Sequence, residues 1–478
     1  MAIVSMFSVL LLTPVQAATY YIATNGDDNN PGTQDQPLAT LNQAARKVAA
    51  GDTVYVRKGT YTFSGTQYIG SVGTSSEPIT YQAYPGEEGK VKLDGSKMPL
   101  ANSVVNVAGQ YNVFKGFEIQ DSKFIGIVSW GGKHIKILNN TIHGSYKDAI
   151  FVGITSDFTS TTDILIDGNT AYNNALINRD SNGNSKGGDS SAIIPAIINS
   201  YGASNVTITN NRVYKNYGIG IDFILTKGGL AAKNVVYDNY AGNLYLDNAT
   251  DVTIEENFIC TTNDKRFYWR GGLLDGQPAS GIQAANESYG ISNPLNQNTI
   301  RNNIVIGGYA GFYYGSYLKG GGLKNFVIVN NTFYKATKTL LFIDNDTGHT
   351  NNLIANNIFY QTGDGAMTNL TAANSALGFQ NNLWYGGSAG AAGSSGDVKA
   401  DPKLFNPGTT TDGDYKLQTG SPAIDAGIQL KEVVPNDYAG ASRARGRGYD
   451  IGAFEYIPWS LIRIVKKIGK IKQPSVIA

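Results

Sequence analysis

The sequence predicts an all-β fold, a right-handed parallel β-helix closed by an N-terminal cap helix and an irregular C-terminal cap. Three observations predict it: an asparagine-marked unit that recurs through the middle of the chain, many glycines and tyrosines with few charges, and two ends that break the repeat.

The unit is a short β-rich run, then Asn-Asn or a variant, then a second β-rich run, as in Ile208-Thr-Asn-Asn-Arg-Val, Ile300-Arg-Asn-Asn-Ile-Val and Ile354-Ala-Asn-Asn-Ile-Phe. Its second asparagine falls at residues 140, 169, 211, 234, 257, 303, 331, 357 and 382. The smallest step is 23 residues, so longer steps, up to 46, read as one coil plus an insertion. A coil of that length holds three short strands, each paired in parallel with its counterpart in the next coil at about 4.8 Å. Asparagine suits the turn because it tolerates left-handed backbone geometry and bonds neighbouring backbone groups. Repeated at one corner it becomes an amide ladder, which makes these residues scaffold.

Composition agrees. Among 478 residues, 57 are glycine, well above the usual share of roughly 7%, 29 are tyrosine and only 16% are charged. A net charge of +1, with no basic cluster before the last twenty residues, excludes nucleic acid as a partner. Cys260 is the only cysteine, so no intrachain disulfide forms and the thiol reads as a buried structural group.

Taken in order, residues 1–17 are an apolar run ending in Val15-Gln16-Ala17 and read as a signal peptide, which predicts a secreted or cell-surface protein. Residues 18–100 form the N-terminal cap and first coils, with helical spacing in Pro37-Leu-Ala-Thr-Leu-Asn-Gln-Ala-Ala-Arg-Lys-Val. Residues 101–395 form the core with loop insertions. Residues 396–456 form the C-terminal cap, containing Ser421-Pro-Ala-Ile-Asp-Ala-Gly and Tyr449-Asp-Ile-Gly-Ala-Phe-Glu-Tyr. The tail, 457–478, is basic and amphipathic, a candidate for membrane or cell-wall contact. The chain is expected to be a monomer.

The opening Asn25-Gly-Asp-Asp-Asn-Asn-Pro-Gly-Thr, the asparagine coils and those two closing motifs together resemble the secreted right-handed β-helix proteins related in fold to pectate lyases and other polysaccharide lyases. The resemblance covers residues 19–456 and implies an extracellular polysaccharide as partner. It specifies the fold more closely than the activity.

The asparagine phase locates a candidate face. Period two in the third strands points Ile219, Ile221, Leu244, Leu246, Ile282, Phe312, Leu341 and Ile343 inward. It leaves Asp222, Tyr245, Asp247, Gln283, Glu287, Tyr313 and Asp344 on one outer stripe, a mixture of carboxylates and rings suited to sugars. The loop 261–280 brings Lys265, Arg266, Trp269 and Arg270 to its edge. For β-elimination on an acidic polysaccharide, the resemblance implies a base from Lys265, Arg266 or Arg270, and neutralisation of the uronate either by Ca2+ as cofactor or by cationic and amide side chains. Asp189, Asp222 and Asp247 are the candidate ligands, and Asp222 and Asp247 are counted with the catalytic group. Tyr245, Gln283, Glu287, Tyr313, Asp344 and Trp269 are the candidate substrate contacts. Two alternatives stand beside this: a glycoside hydrolase using the same carboxylates, expected about 5 Å apart on neighbouring coils, and a non-catalytic glycan-binding surface protein.

Overall fold

The computed structural model describes residues 17–153, 161–186, 196–270, 274–289, 295–370 and 376–458. The apolar segment 1–16, Asp189 and the tail from 459 to 478 lie outside them.

The chain winds through three parallel sheets of 13, 12 and 11 strands, here A, B and C. One coil runs Ser204–Thr209 in A, Arg212–Asn216 in B and Ile219–Ile224 in C; the next runs Lys227–Ala232, Val235–Asn239 and Gly242–Asp247. Register holds on all three sides, with Ile208 opposite Ala231, Val213 opposite Val236 and Ile221 opposite Leu244.

Two stacks hold the coils together. Inside sheet A, Ile137, Ile166, Ile208, Ala231, Ile254, Ile300, Ile328 and Ile354 lie one above another, all fully buried. Each isoleucine contributes about 1.5–3 kcal/mol by leaving water. At the corner between A and B, the predicted ladder is continuous. Asn140 donates its amide to Asn169 Oδ1 at 3.0 Å, and the same bond repeats through Asn211, Asn234, Asn257, Asn303, Asn331 and Asn357 to Asn382.

The asparagine pairs divide their work. The first members, such as Asn139, Asn210, Asn302, Asn330 and Asn356, take the left-handed conformation with φ of 52–55°. The second members point inward and form the ladder. A shorter ladder stands at the corner between B and C, where Asn174 donates to Asn216, Asn216 to Asn239 and Asn239 to Asn243.

Near the N-terminus a helix, Leu41–Lys47, is capped by Thr40 Oγ1 and buries Leu41 and Ala44 against the core. The segment after residue 396 lies along the flank of the later coils. It bonds the first asparagines of the turns: Asn330 Nδ2 donates to the Asp450 carbonyl, Asn356 Nδ2 to that of Ile428 and Asn381 Nδ2 to that of Ala426. Arg443, buried and paired with Glu455 at 2.9 Å, also donates to Asn302 Oδ1.

The two asparagine roles predict opposite responses. Asn234→Ala strands the buried amide of Asn211 and removes the bond to Asn257, and is expected to cost roughly 2–4 kcal/mol. Asn210→Gly keeps an exposed left-handed position and is expected to change stability by less than about 1 kcal/mol. Urea denaturation of both variants checks the contrast.

Candidate functional site

The outer side of sheet C carries two columns of side chains. The first runs Val128, Phe151, Asn199, Asp222, Tyr245, Gln283, Tyr313 and Phe342. The second, two residues on, contains Trp130, Gly153, Tyr201, Ile224, Asp247 and Ala285. The inward partners Ile221, Leu244, Leu246, Ile282, Phe312, Leu341 and Ile343 are buried as period two requires.

Asp222 and Asp247 therefore do not occupy equivalent positions, as the expected spacing on neighbouring coils assumed. Asp222 pairs with Tyr245, and Asp247 pairs with Ile224. The two carboxylates meet diagonally, from different columns of adjacent coils.

Both are withdrawn from solvent, each 2% exposed. Tyr289 donates its hydroxyl to Asp247 Oδ2, and Tyr245 donates to Glu287 Oε1 at 2.7 Å. Burial is the largest influence on Asp222 and raises its pKa well above the usual range; the charges of Asp247, Glu287 and Asp148 push the same way. Asp247 is raised first by burial and then by Glu287. Asp148, fully enclosed, is raised to about 7 by burial, although the Asn199 amide bonds its carboxylate.

Four buried oxygens in this neighbourhood have no hydrogen-bond partner among the described residues: Asp148 Oδ1, Asn199 Oδ1, Asp222 Oδ1 and Asp247 Oδ1. Acceptors left bare behind such burial carry a desolvation cost of about 1–3 kcal/mol each. Among the described residues no group of three or more His, Cys, Asp or Glu side chains stands in metal-binding geometry. The donor chemistry nevertheless fits a hard cation, because the bare atoms are carboxylate and amide oxygens and neighbouring negative charge already weighs on Asp222 and Asp247.

Among the described residues the loop cations make no ion pair with these carboxylates. Arg266 is paired with Asp264 at 2.5 Å, and Arg270 donates to the Lys265 carbonyl at 2.9 Å. Lys265 is exposed, and among the described residues its ammonium makes no ion pair. The loop touches the face through Trp269, whose ring lies 5.0 Å from that of Tyr240 in a cluster that includes Tyr245.

Of the other predicted contacts, Tyr245 is 7% exposed and held by Glu287, so its ring is part of the wall. Gln283 lies over Gly242, where an added Cβ would stand 2.0 Å from Oε1. Tyr313 is half-buried and stacks on Phe342 at 4.7 Å. Asp344 accepts the Ser316 backbone amide at 3.1 Å, a tie to the loop of the preceding coil.

Asp148, Asn199, Tyr201 and Tyr289 are members of the site that the asparagine phase does not reveal. The strand Ala196–Tyr201 follows the insertion in the 42-residue step, which hides its register. Counting from Asn199 to Asp222 gives 23 residues, one coil, and this is the signal that finds it.

A parallel β-helix with a carboxylate cluster on one outer side defines a polysaccharide-lyase-like protein, and the comparisons give the family. The model for the Pel9A-like right-handed β-helix region matches residues 20–304, and the chain belongs to that family. The uncharacterized protein YwoF of Bacillus subtilis strain 168 is 29% identical over 385 residues, 71% of this chain and 74% of that protein. Pectate lyase PEL9 of Emericella nidulans is 29% identical over 253 residues, covering 52% of this chain and 58% of the fungal protein. The crystal structure of pectate lyase Pel9A shares the fold with a TM-score of 0.56 at 20% identity, over 92% of this chain and 96% of that one.

The cluster predicts a pH dependence with a definite sign. Asp148, Asp222 and Asp247 have folded pKa values above the unfolded value near 4. The folded chain therefore keeps protons that the unfolded chain releases, and this contribution favours folding most at low pH and declines as pH rises from about 4 through about 8. In chelator, Asp222→Asn is expected to flatten that decline, read as melting temperature against pH relative to the parent protein.

Proposed function

We propose that the outer side of sheet C cleaves an acidic polysaccharide by β-elimination. The observation that carries this is the buried Asp222–Asp247 cluster with its unpartnered oxygens, in a chain of the Pel9A-like family. Asp222 and Asp247 would hold Ca2+, with Asp189 as a further ligand from the insertion. When bound, the cation supplies positive charge to a uronate carboxylate, which makes the neighbouring C–H more acidic.

The chain's own residues do the rest. Glu287 fixes Tyr245 and Tyr289 fixes Asp247, so the carboxylates are held on a rigid wall. Among the described residues Lys265 is the loop cation whose ammonium is in no ion pair, and it is the proposed base that takes the proton; Arg266, neutralised by Asp264, positions the loop. The reading also places the protein outside the cell, supported by the apolar run in residues 1–17; among the described residues no helix is long and apolar enough to cross a membrane.

A second reading is favoured by one observation: Asp247 and Asp222 retain protons more readily than ordinary carboxylates. A protonated carboxyl beside an ionised one is the equipment of a glycoside hydrolase. Incubation with polygalacturonate, alginate and neutral glycans separates the two. A lyase gives ultraviolet-absorbing unsaturated ends; a hydrolase gives reducing ends without that absorbance.

For the lyase, Asp222→Ala and Asp247→Ala are each expected to lower kcat/KM about 100-fold or more, and Lys265→Ala to lower kcat by a similar factor. Arg266→Ala is expected to act mainly on KM. Full activity in Lys265→Ala would remove the base assignment. Ca2+ is expected to raise the melting temperature of the parent protein, more at pH 8 than at pH 5, and Asp222→Asn to abolish the rise.

A further inference from the structure

We propose that Phe151 and Tyr313 are stacking platforms for sugar rings on either side of the carboxylate cluster, so that the polysaccharide runs along the axis of the solenoid. This rests on reading sheet C as the substrate face and extends it by residues that touch no carboxylate.

The observation is a pattern of rings laid over glycines. Three aromatic residues on the outer side of sheet C are followed two positions later, on the same face, by glycine: Tyr68 by Gly70, Phe151 by Gly153 and Tyr313 by Gly315. A Cβ built on Gly70 would stand 2.4 Å from Tyr68 Cε1, and one on Gly153 would stand 2.5 Å from Phe151 Cε1. On Gly315 it would meet Tyr313 Cε1 at 2.9 Å and Tyr317 Cζ at 2.8 Å. These three glycines have no left-handed φ, so the backbone does not require them. What the missing Cβ provides is room for the ring to lie down along the strand.

Position makes the pattern functional. Phe151 stands two coils before Asp222 in the first column, and Tyr313 stands two coils after Tyr245. Two strand spacings are about 10 Å, the reach of two sugar residues in an extended chain. Between platform and cluster the column is polar, with Asn199 on one side and Gln283 on the other.

The wall is continuous. Tyr201 lies 6.3 Å from Phe151 at 24°, and meets Tyr289 edge-on at 6.4 Å. Tyr289 in turn donates to Asp247. On the far side Tyr313 stacks on Phe342 at 4.7 Å. A ring that merely covered a glycine would stabilise the sheet without this alignment on the cluster.

The test is retardation of the full chain in native gels containing polygalacturonate or alginate, with melting temperature measured alongside. Phe151→Ala, Phe151→Leu and Tyr313→Ala are each expected to weaken retention about five- to tenfold. Gly153→Ala keeps the ring but evicts it from its bed, and is expected to match Phe151→Ala. Tyr214→Ala, on the outer side of sheet B, is expected to bind as the parent does. Parent-like retention in Phe151→Leu and Gly153→Ala, with or without a lower melting temperature, would overturn the platforms while leaving the substrate reading intact. If the parent itself is retained by neither polymer, the acidic-polysaccharide reading falls and the platforms fall with it.

Discussion

The stacking of buried asparagine amides at the corner between sheets A and B is the constraint on which the rest of the structure depends. Each ladder residue from Asn169 to Asn357 accepts from the coil before it and donates to the coil after it, while its amide also reaches a backbone carbonyl. Asn234 shows the full set, with Asn211, Asn257 and the Ile208 carbonyl as partners. Side chains alternate with period two, so a slip of one residue would turn the core outward. The ladder forbids that slip. It also explains why insertions are tolerated: the bond across the 42-residue step, Asn169 to Asn211, is 3.0 Å, the same as across the 23-residue step from Asn211 to Asn234.

That rigidity permits an unfavourable site. Three buried aspartates whose pKa values are raised chiefly by burial, with bare oxygens among them, would be relieved in a pliant sheet by small movements of the backbone. Here the strands that carry Asn199, Asp222 and Asp247 are fixed at their inner faces by Ile198, Ile221, Leu244 and Leu246, all fully buried. Strain of this kind persists where the surroundings over-determine it. The site is local and its support is distributed over every coil.

Much of the fold was legible because the ladder leaves a residue-type signature at a readable interval. The second ladder left one too: Asn174, Asn216 and Asn239 each lie five residues beyond a ladder asparagine, at the same steps of 42 and 23. The site was legible in part. Asp222, Asp247, Glu287 and Tyr245 are brought together as the outer stripe suggests, but one coil on from Asp222 is Tyr245, so the diagonal placement follows from the interval and not from the residue types. Asp148 precedes its strand, Ile150–Gly153, and nothing in its sequence context distinguishes it from a surface turn. The pairing of Arg266 with Asp264 was hidden for a different reason: a run rich in cations suggests chemistry, while the single acid two residues earlier spends one of them on the loop itself.

The two chemistries compatible with this face differ in what the cluster holds at the working pH. A proton on Asp222 or Asp247 relieves the repulsion among the carboxylates, and so does a cation, so the two compete for the same oxygens. Where the proton wins, the cluster is an acid beside a base; where the cation wins, it is a positive seat for a uronate. The surrounding groups bias that competition. Glu287 adds negative charge, which strengthens both proton and cation binding, but a divalent ion gains twice as much from it as a proton does. The bare Oδ1 atoms of Asn199 and Asp222, register partners on neighbouring coils, are the acceptors for which proton and cation compete.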